Sequence, residues 1–292
     1  MPNSHVQEES LAVSFDVQFW GVRNQIATPG KDTVRYGGNT SCVEMRIGEA
    51  RLIFDGGTGL RALGNSLLSQ MPVEAHMFFT HCHWDRIQGF PFFVPAFIPI
   101  NHFHIYGAEA SNGSTFKQRL SGQMLGPNFP VPIQVMQSKL EFHDIHWQDK
   151  CLVGEDIVIE TYILNREHRS IGYRVISQGK CVVYAMTPDY FTEKHHSNWL
   201  DLIRQADLLL LAAPENIPQF HSPPKPEELN NPVEGFWEKG IKVAQELGVK
   251  QVIMSLHHPE HNDDYLDLME SKMQQSFPKA TFAKEGMIIS LS

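Results

Sequence analysis

The segment at residues 80–89, THCHWDRIQG, places His81, His83 and Asp85 at alternate positions. The residues just before it, AHMFFT, have the apolar character of a buried strand, so a turn at its end would bring the three side chains together. Two imidazoles and a carboxylate form a ligand set suited to Zn²⁺, Mn²⁺ or Fe. The same residue types also occur in polar surface turns, so the spacing alone leaves both interpretations open.

Arg86 follows Asp85 where one more histidine would complete a larger metal-binding cluster. A guanidinium keeps its proton at ordinary pH and offers no lone pair to a metal. At contact distance and intermediate dielectric it opposes a divalent cation by about 4 kcal/mol per unit charge. The segment therefore combines three candidate ligands with a permanent cation.

Size and composition indicate a protein with a substantial core. The chain has 292 residues, of which 42% are hydrophobic, enough for one large domain or two ordinary ones. Its net charge of −9 argues against nonspecific nucleic-acid binding, because that function relies on extensive basic surface. A local basic pocket is still compatible with this acidic total.

Cysteine usage and the N-terminal residues favour a cytoplasmic protein. The four cysteines are far apart and form no CxxC pair, which is typical of reduced thiols: Cys42, Cys82, Cys151 and Cys181. The start, MPNSHVQEES, lacks the features of a signal peptide, and no apolar run is long enough to span a bilayer. We predict no membrane contact, a mobile tail over residues 1–12 and a single domain over residues 13–292.

Apolar periodicity predicts two strand-rich halves. Strand patterns occur at residues 15–20, 43–47, 51–55, 75–80, 156–164, 171–177, 181–186, 207–213 and 251–258. Helical patterns occur at residues 59–70, 199–206, 236–249 and 263–277, and a closing strand is predicted at 281–291. This order predicts two sheet layers with helices outside, and the proline-rich residues 214–232 are a candidate loop over a site.

Five motifs together resemble the metallo-β-lactamase superfamily, in its order and spacing and over nearly the whole chain. They are FWGVRNQIATPG (19–30), RYGGNTSCVE (35–44), FDGGTGLRALG (54–64), THCHWDRIQGFPFFVPAF (80–97) and LGVKQVIMSLHHPEHNDDYLD (247–267). The resemblance is strongest to the phosphodiesterase-like branch, which is related to the tRNA 3′-processing endonucleases. It implies an α/β fold, the αββα sandwich, with a dinuclear metal site at one edge of the sheets.

The resemblance also implies a ligand set and a chemistry. In active relatives, two metal ions share a hydroxide that attacks a phosphoryl or acyl centre. His81 and His83 match ligands of the first ion, Asp85 matches the carboxylate ligand of the second, and His257 matches the final histidine. These residues are the implied catalytic and metal-binding set, with zinc or manganese as the cofactor.

Other positions receive different roles from the same resemblance. Asp55 matches an aspartate behind the site that orients the segment carrying His81 and His83, residues 80–89, called here the histidine loop. Tyr36 and Asn39 belong to a signature at the active-site edge and are candidates for the substrate pocket. Four histidines outside the ligand positions are expected at the surface or in loops: His102, His104, His195 and His196.

Three ligand positions depart from the family pattern. Arg86 and Arg166 stand where histidines are expected, and Thr187 stands where an aspartate would bridge the two ions. His168 and Asp189 lie close enough in sequence to be candidate replacements. The predicted centre therefore lacks three of its usual ligands.

The nature of these changes suggests a charge substitution. Losing a carboxylate at position 187 while gaining cations at 86 and 166 keeps local charge nearly balanced without metal. We hypothesise that Arg86 and Arg166 supply the charge of the missing ions and pair with Asp85. The same two arginines, with His168 beside them, would form an anion-binding pocket.

Two classes of function remain open on this sequence. In the first, a metal-poor pocket binds a phosphorylated small molecule, a nucleotide or a protein partner without turnover, because arginine pairs bind phosphate bidentately. In the second, one ion on His81, His83 and either Asp85 or His257 supports phosphodiester or ester hydrolysis, since three protein ligands and a water suffice for zinc.

Overall fold

A computed structural model describes residues 14–146, 148–165, 170–186, 196–212 and 236–291. Within these ranges the strands are β1 (Phe15–Gly21), β2 (Cys42–Ile47), β3 (Ala50–Phe54), β4 (Glu74–Phe78), β5 (His102–Ala108), β6 (Lys139–Ile145), β7 (Lys150–Val153), β8 (Ile157–Asn165), β9 (Ser170–Ser177), β10 (Lys180–Ala185), β11 (Leu208–Ala212), β12 (Val252–Ser255), β13 (Ala280–Phe282) and β14 (Ile288–Ser290). The α-helices are α1 (Gly59–Leu67), α2 (Trp84–Ile87), α3 (Phe116–Gly122), α4 (His196–Ile203), α5 (Phe236–Glu246) and α6 (Asp263–Ser276). Short 3-10 helices cover residues 31–33, 90–92, 94–97 and 133–135.

The strands form two seven-stranded mixed sheets. The first has the order β14-β1-β2-β3-β4-β5-β6, and the second has the order β13-β12-β11-β10-β9-β8-β7. In the first sheet β3 to β6 are parallel, and in the second β10 to β13 are parallel. Parallel neighbours end at the same edge of a sheet, so the loops after β3 and β4 start side by side.

The main core lies between the two sheets. Alternate residues of β1 are buried, including Val17 and Phe19, which fits its period-two pattern. Phe54 of the first sheet packs on Tyr184 of the second, with ring centroids 5.0 Å apart. A second apolar cluster joins the outer face of the first sheet to α1, α3 and the 3-10 turns. The arrangement confirms the predicted αββα sandwich.

Most predicted elements match, but the closing strand was wrong. Residues 281–291 were predicted as one strand, whereas the chain enters β13 in the second sheet and β14 in the first. Gly286 lies between them at a φ of 80°, a conformation that glycine adopts without strain. The pattern could not show this, because both segments are apolar and only their pairing partners differ.

The prediction for His102 and His104 also needs correction. Both were expected in loops or at the surface, but they belong to β5 in the interior of the first sheet and are only partly exposed. The parallel strands β5 and β6 were missed, although HFHIYGA and KLEFHDI alternate polar and apolar residues as half-buried strands do. Residues 1–13, which include the predicted tail, and the predicted loop at 214–232 lie outside the described residues.

Two further predictions concern the chain's environment. All four cysteines are free thiols, as expected. In the described part of the chain, no helix is both long and apolar enough to cross a membrane.

Three loops meet with backbone against backbone beside β3 and β4. The Gly57 amide donates to the Ser41 carbonyl at 2.8 Å, and the Gly89 amide donates to the Gly56 carbonyl at 2.8 Å. A Cβ at position 89 would overlap the Gly57 carbonyl oxygen. Glycine is therefore required where the histidine loop returns to the FDGGTG loop.

We expect Gly89→Ala to lower the free energy of unfolding by about 1–3 kcal/mol, because the methyl group must displace backbone. Gly122→Ala is the matched control. Gly122 ends α3 with no atom within 4 Å of an added Cβ, so alanine there should be neutral or stabilise by at most about 1 kcal/mol. Urea denaturation of both variants measures this, and equal stabilities would contradict it.

Candidate metal centre

His81, His83 and Asp85 come together at the carboxyl end of β4, as the sequence predicts. Their ligand atoms all lie within 4.8 Å of one another. The rings of His81 and His83 are edge to face, with centroids 4.3 Å apart. His81 and Asp85 are buried while His83 is exposed. The group therefore has one open side, as a site for a metal ion and a ligand requires.

Asp55 orients the histidine loop through Thr80. Its Oδ1 accepts hydrogen bonds from the Thr80 backbone amide at 2.8 Å and from the Thr80 hydroxyl at 2.9 Å. The same hydroxyl lies 2.9 Å from His81 Nδ1. Since the hydroxyl has one proton and gives it to Asp55, it accepts from an Nδ1–H of His81. In this tautomer Nε2 carries the lone pair of His81, as it does in a histidine that ligates metal through Nε2.

Arg86 occupies the interior beside this group and is 1% exposed. Its Nε lies 3.2 Å from Asp85 Oδ2, and one terminal nitrogen lies 3.5 Å from Asp55 Oδ2. The Nε contact lacks the direction of a hydrogen bond, so it is a close ion pair. The predicted pairing of Arg86 with Asp85 is thus present, and Asp55 is a second partner.

Asp55 experiences opposing influences. The pKa of Asp55 is raised to about 6, because complete burial outweighs the lowering by Arg86 and by the hydrogen bonds from Thr80 and Tyr184. The Tyr184 hydroxyl donates to Asp55 Oδ2 at 2.9 Å. Burial alone would favour the neutral acid, so these donors and Arg86 are what favour the ionised form.

Three of the six non-glycine residues with left-handed backbone in the described part of the chain lie at this edge. Gln25, Asp55 and Leu256 have φ values of 61°, 58° and 64°, which are uncommon for residues other than glycine. The Gln25 amide points at Asp85 Oδ2 at 3.3 Å, and Leu256 immediately precedes His257. Such strain is typical of functional sites, where the surroundings hold the backbone in place.

His257 is buried close to this group without joining it. It is not among the residues whose ligand atoms lie within 4.8 Å of one another. Two adjacent backbone amides connect it to the group: the Asn24 amide donates to the His257 carbonyl, and the Gln25 amide donates to Asp85 Oδ2. Burial lowers the pKa of His257 to about 3, so the ring is neutral at pH 7. Its Nε2 lies 2.8 Å from the Ala283 carbonyl, and its buried Nδ1 has no hydrogen-bond partner among the described residues.

Tyr36 and Asn39 make contacts that position the site. Tyr36 is fully buried, its ring lies edge-on to His257 with centroids 5.5 Å apart, and its hydroxyl donates to Asp267 at 2.9 Å. The Asn39 side chain donates to Glu285 at 3.0 Å and accepts from Thr58 at 3.0 Å. Contact of either residue with a substrate stays a prediction.

Four predicted residues lie outside the described part of the chain: Arg166, His168, Thr187 and Asp189. Their roles therefore stay predictions. Sequence reasoning missed the contributions of Thr80 and Tyr184. Thr80 could have been found from its position directly before His81, but nothing local indicates that Tyr184 reaches Asp55 from the other sheet.

Thr80→Val should lower the free energy of unfolding by about 1–3 kcal/mol, since it leaves buried polar partners unsatisfied. It should also weaken metal binding by about 10- to 100-fold, because His81 loses its orienting contact. Thr28→Val is the control, since the buried Thr28 hydroxyl has no hydrogen-bond partner among the described residues. Thermal unfolding and zinc titration test both variants, and identical zinc affinities would refute the role of Thr80.

Comparisons with known proteins agree with this architecture. No protein-family model matches the chain, and no curated protein matches it in sequence. Among solved structures, it is similar to the short form of human tRNase Z, with a TM-score of 0.60 and 16% identity over 95% of this chain and 99% of that one. YhfI from Bacillus subtilis, a metallo-β-lactamase fold protein, gives a TM-score of 0.64 and 15% identity over 96% and 100% of the two chains.

A metal-bound structure is also similar. Zn²⁺-bound PqqB from Methylobacterium extorquens has a TM-score of 0.63 and 12% identity, over 94% of this chain and 100% of that one. Identities this low establish the architecture and leave the activity open. The chain has the metallo-β-lactamase fold, with a candidate metal-ligand group where the sequence placed it.

Proposed function

We propose that this chain is a phosphodiesterase-like member of the metallo-β-lactamase superfamily whose dinuclear centre has been reduced to one ion or none. The supporting observation is the burial of Arg86 against Asp55 and Asp85. In this proposal the guanidinium supplies the charge that a second ion supplies in active relatives. Hydrolysis is then weak, mononuclear or lost.

The charge balance supports this reduction. A guanidinium within 3.2 Å of the Asp85 carboxylate already offsets part of its charge. A divalent ion at the same carboxylate would face repulsion of about 4 kcal/mol per unit charge at intermediate dielectric. Arg86 cannot release its proton to relieve that repulsion. A single ion held by Asp85 meets the same repulsion and is therefore weakly bound, while a second ion would also require Arg86 to leave its buried position.

The remaining donors fit a single ion. His81, His83 and Asp85 form a two-histidine, one-carboxylate set, which zinc or manganese accepts. Such an ion, when bound, lowers the pKa of a coordinated water and polarises an ester. The chain's own contribution is orientation: Thr80 fixes the ring of His81, while Arg86 and the Gln25 amide hold Asp85.

For the ligand, we propose a phosphorylated small molecule or a nucleotide. One structural neighbour is a tRNase, which supports a phosphate ester as the ligand. Arginine side chains are suited to bind phosphate groups. Because Arg86 is buried against carboxylates, we assign the phosphate contact to Arg166 and His168. Arg86 is then an internal cation that does not contact the ligand. A protein partner is the alternative ligand.

The second candidate function is an active hydrolase with one ion. The buried Nδ1 of His257 favours it, since it has no hydrogen-bond partner among the described residues. The opposite nitrogen lies 2.8 Å from a backbone carbonyl, an arrangement typical of metal-ligating histidines. A small movement of the loop carrying Asn24 and Gln25 would change the distance between His257 and Asp85.

Turnover separates the two candidates, and metal content tests the reduced centre that both assume. We expect wild type to bind at most one more equivalent of zinc or manganese than His81→Ala binds. The reason is that one ligand group at this centre, His81 with His83 and Asp85, is present. Turnover of bis(p-nitrophenyl) phosphate with Mn²⁺ should be weak or absent. Asp85→Ala should reduce any such turnover, while the exposed His146→Ala should not. A difference of two equivalents, with fast turnover, would refute the reduced centre.

Arg86→Gln tests the charge substitution directly. Removing one partner of a buried ion pair should cost about 3–5 kcal/mol of stability, and added Zn²⁺ or Mn²⁺ should restore part of it by compensating the two carboxylates. Arg61→Gln, at an exposed position on α1, should change stability by no more than about 0.5 kcal/mol and show no added response to metal. Thermal unfolding with and without metal gives the answer. An Arg86→Gln chain whose metal response equals that of wild type would contradict the proposal.

A further inference from the structure

A second group of metal-ligand side chains lies on the first sheet, at the amino end of β4. It comprises four histidines and two glutamates from three adjacent parallel strands: Glu74, His76, His102, His104, Glu141 and His143. The strand register pairs Glu74 with His102, and His76 with His104. The His81 group follows the other end of β4, so the two groups share no residue.

Three of these side chains converge on one point. The ligand atoms of Glu74, His102 and His104 lie within 4.8 Å of one another. Glu74 Oε1 is 3.2 Å from His104 Nε2 and 3.6 Å from His102 Nδ1. In a tetrahedral zinc site with bonds near 2.0–2.1 Å, neighbouring ligand atoms are separated by about 3.3 Å. The two distances from Glu74 to the histidine nitrogens are therefore close to the edges of such a site.

Glu141 supports the same two imidazoles from behind. Its Oε2 lies 3.1 Å from His104 Nδ1 and 3.4 Å from His102 Nε2, the nitrogens that face away from Glu74. A carboxylate behind a ligating histidine is the usual way to fix its tautomer and raise its basicity. His102 Nε2 is buried and makes no aligned hydrogen bond among the described residues. Binding an ion at Nδ1 would place a proton on this nitrogen, facing Glu141.

Two neighbouring histidines hold the ring of His104 in place. His76 stacks on His104 with centroids 4.5 Å apart and planes 6° from parallel. His143 also stacks on His104, with centroids 5.7 Å apart.

We propose that Glu74, His102 and His104 bind one divalent transition-metal ion of the zinc class, with water as the remaining ligand. Glu141 accepts from the outer nitrogens of both histidines and holds the rings in place. The ion links β4 to β5. This site is independent of the proposed function, because none of its residues belongs to the His81 group.

Zinc binding to the full chain in the His81→Ala background isolates this site. We expect one tight equivalent to remain by equilibrium dialysis with elemental analysis, because the His81 group no longer competes. Adding His104→Ala should weaken that binding at least 100-fold, while adding His146→Ala, at an exposed histidine outside both groups, should leave it unchanged. Co²⁺ should give the visible absorption of a low-coordinate ion, which His104→Ala abolishes.

Glu74→Gln provides a variant that cannot fail by unfolding the sheet, since the Glu74 side chain is 64% exposed. It should weaken zinc binding at least 10-fold, with an unchanged melting temperature in the absence of metal. If the His81→Ala chain binds no zinc, or binds it equally well with His104→Ala or Glu74→Gln, the proposal is wrong. These outcomes do not bear on the proposed reduced centre at His81. That centre is tested separately, by the difference in bound metal between wild type and His81→Ala.

Discussion

The buried charge balance among Asp55, Asp85 and Arg86 is the constraint on which this site depends. Asp55 is fully enclosed where the two sheets meet and contacts Thr80 on the histidine loop and Tyr184 on the opposite sheet. An isolated carboxylate there would be costly, so its donors and the guanidinium of Arg86 must be present together. The same contacts that make Asp55 tolerable in the core also orient His81 and anchor Asp85.

Under the proposed function, this arrangement connects a substituted ligand position to the stability of the fold. In a centre built for two ions, the surplus of carboxylates is balanced by metal, and the empty protein carries repulsion. In the proposed centre a guanidinium is covalently part of the chain, so the balance is independent of metal supply. The proposed consequence is a trade: the pocket tolerates being empty, but a second ion meets a cation that cannot deprotonate.

The spacing His-x-His occurs twice, and the surrounding backbone gives it different geometry each time. At His81 and His83 it lies after the end of β4, where the two rings are edge to face. At His102 and His104 it lies in β5, where period two places both rings on one face of the sheet. A strand fixes the spacing of ligands through its register with neighbouring strands. A loop needs side-chain hydrogen bonds, such as those that Thr80 makes with Asp55 and His81.

The sequence alone determined the features that depend on local pattern or intrinsic chemistry. These are most strands and helices, the grouping of His81, His83 and Asp85, and the inability of Arg86 to ligate metal. Motif order along the chain predicted the sandwich. Only the tertiary structure decided which distant groups meet: Arg86 with Asp55, 31 positions earlier, and His102 with Glu74 on the next strand. It also placed β13 and β14 in different sheets. The physical reason is that such contacts follow from sheet order and register, which local periodicity does not encode.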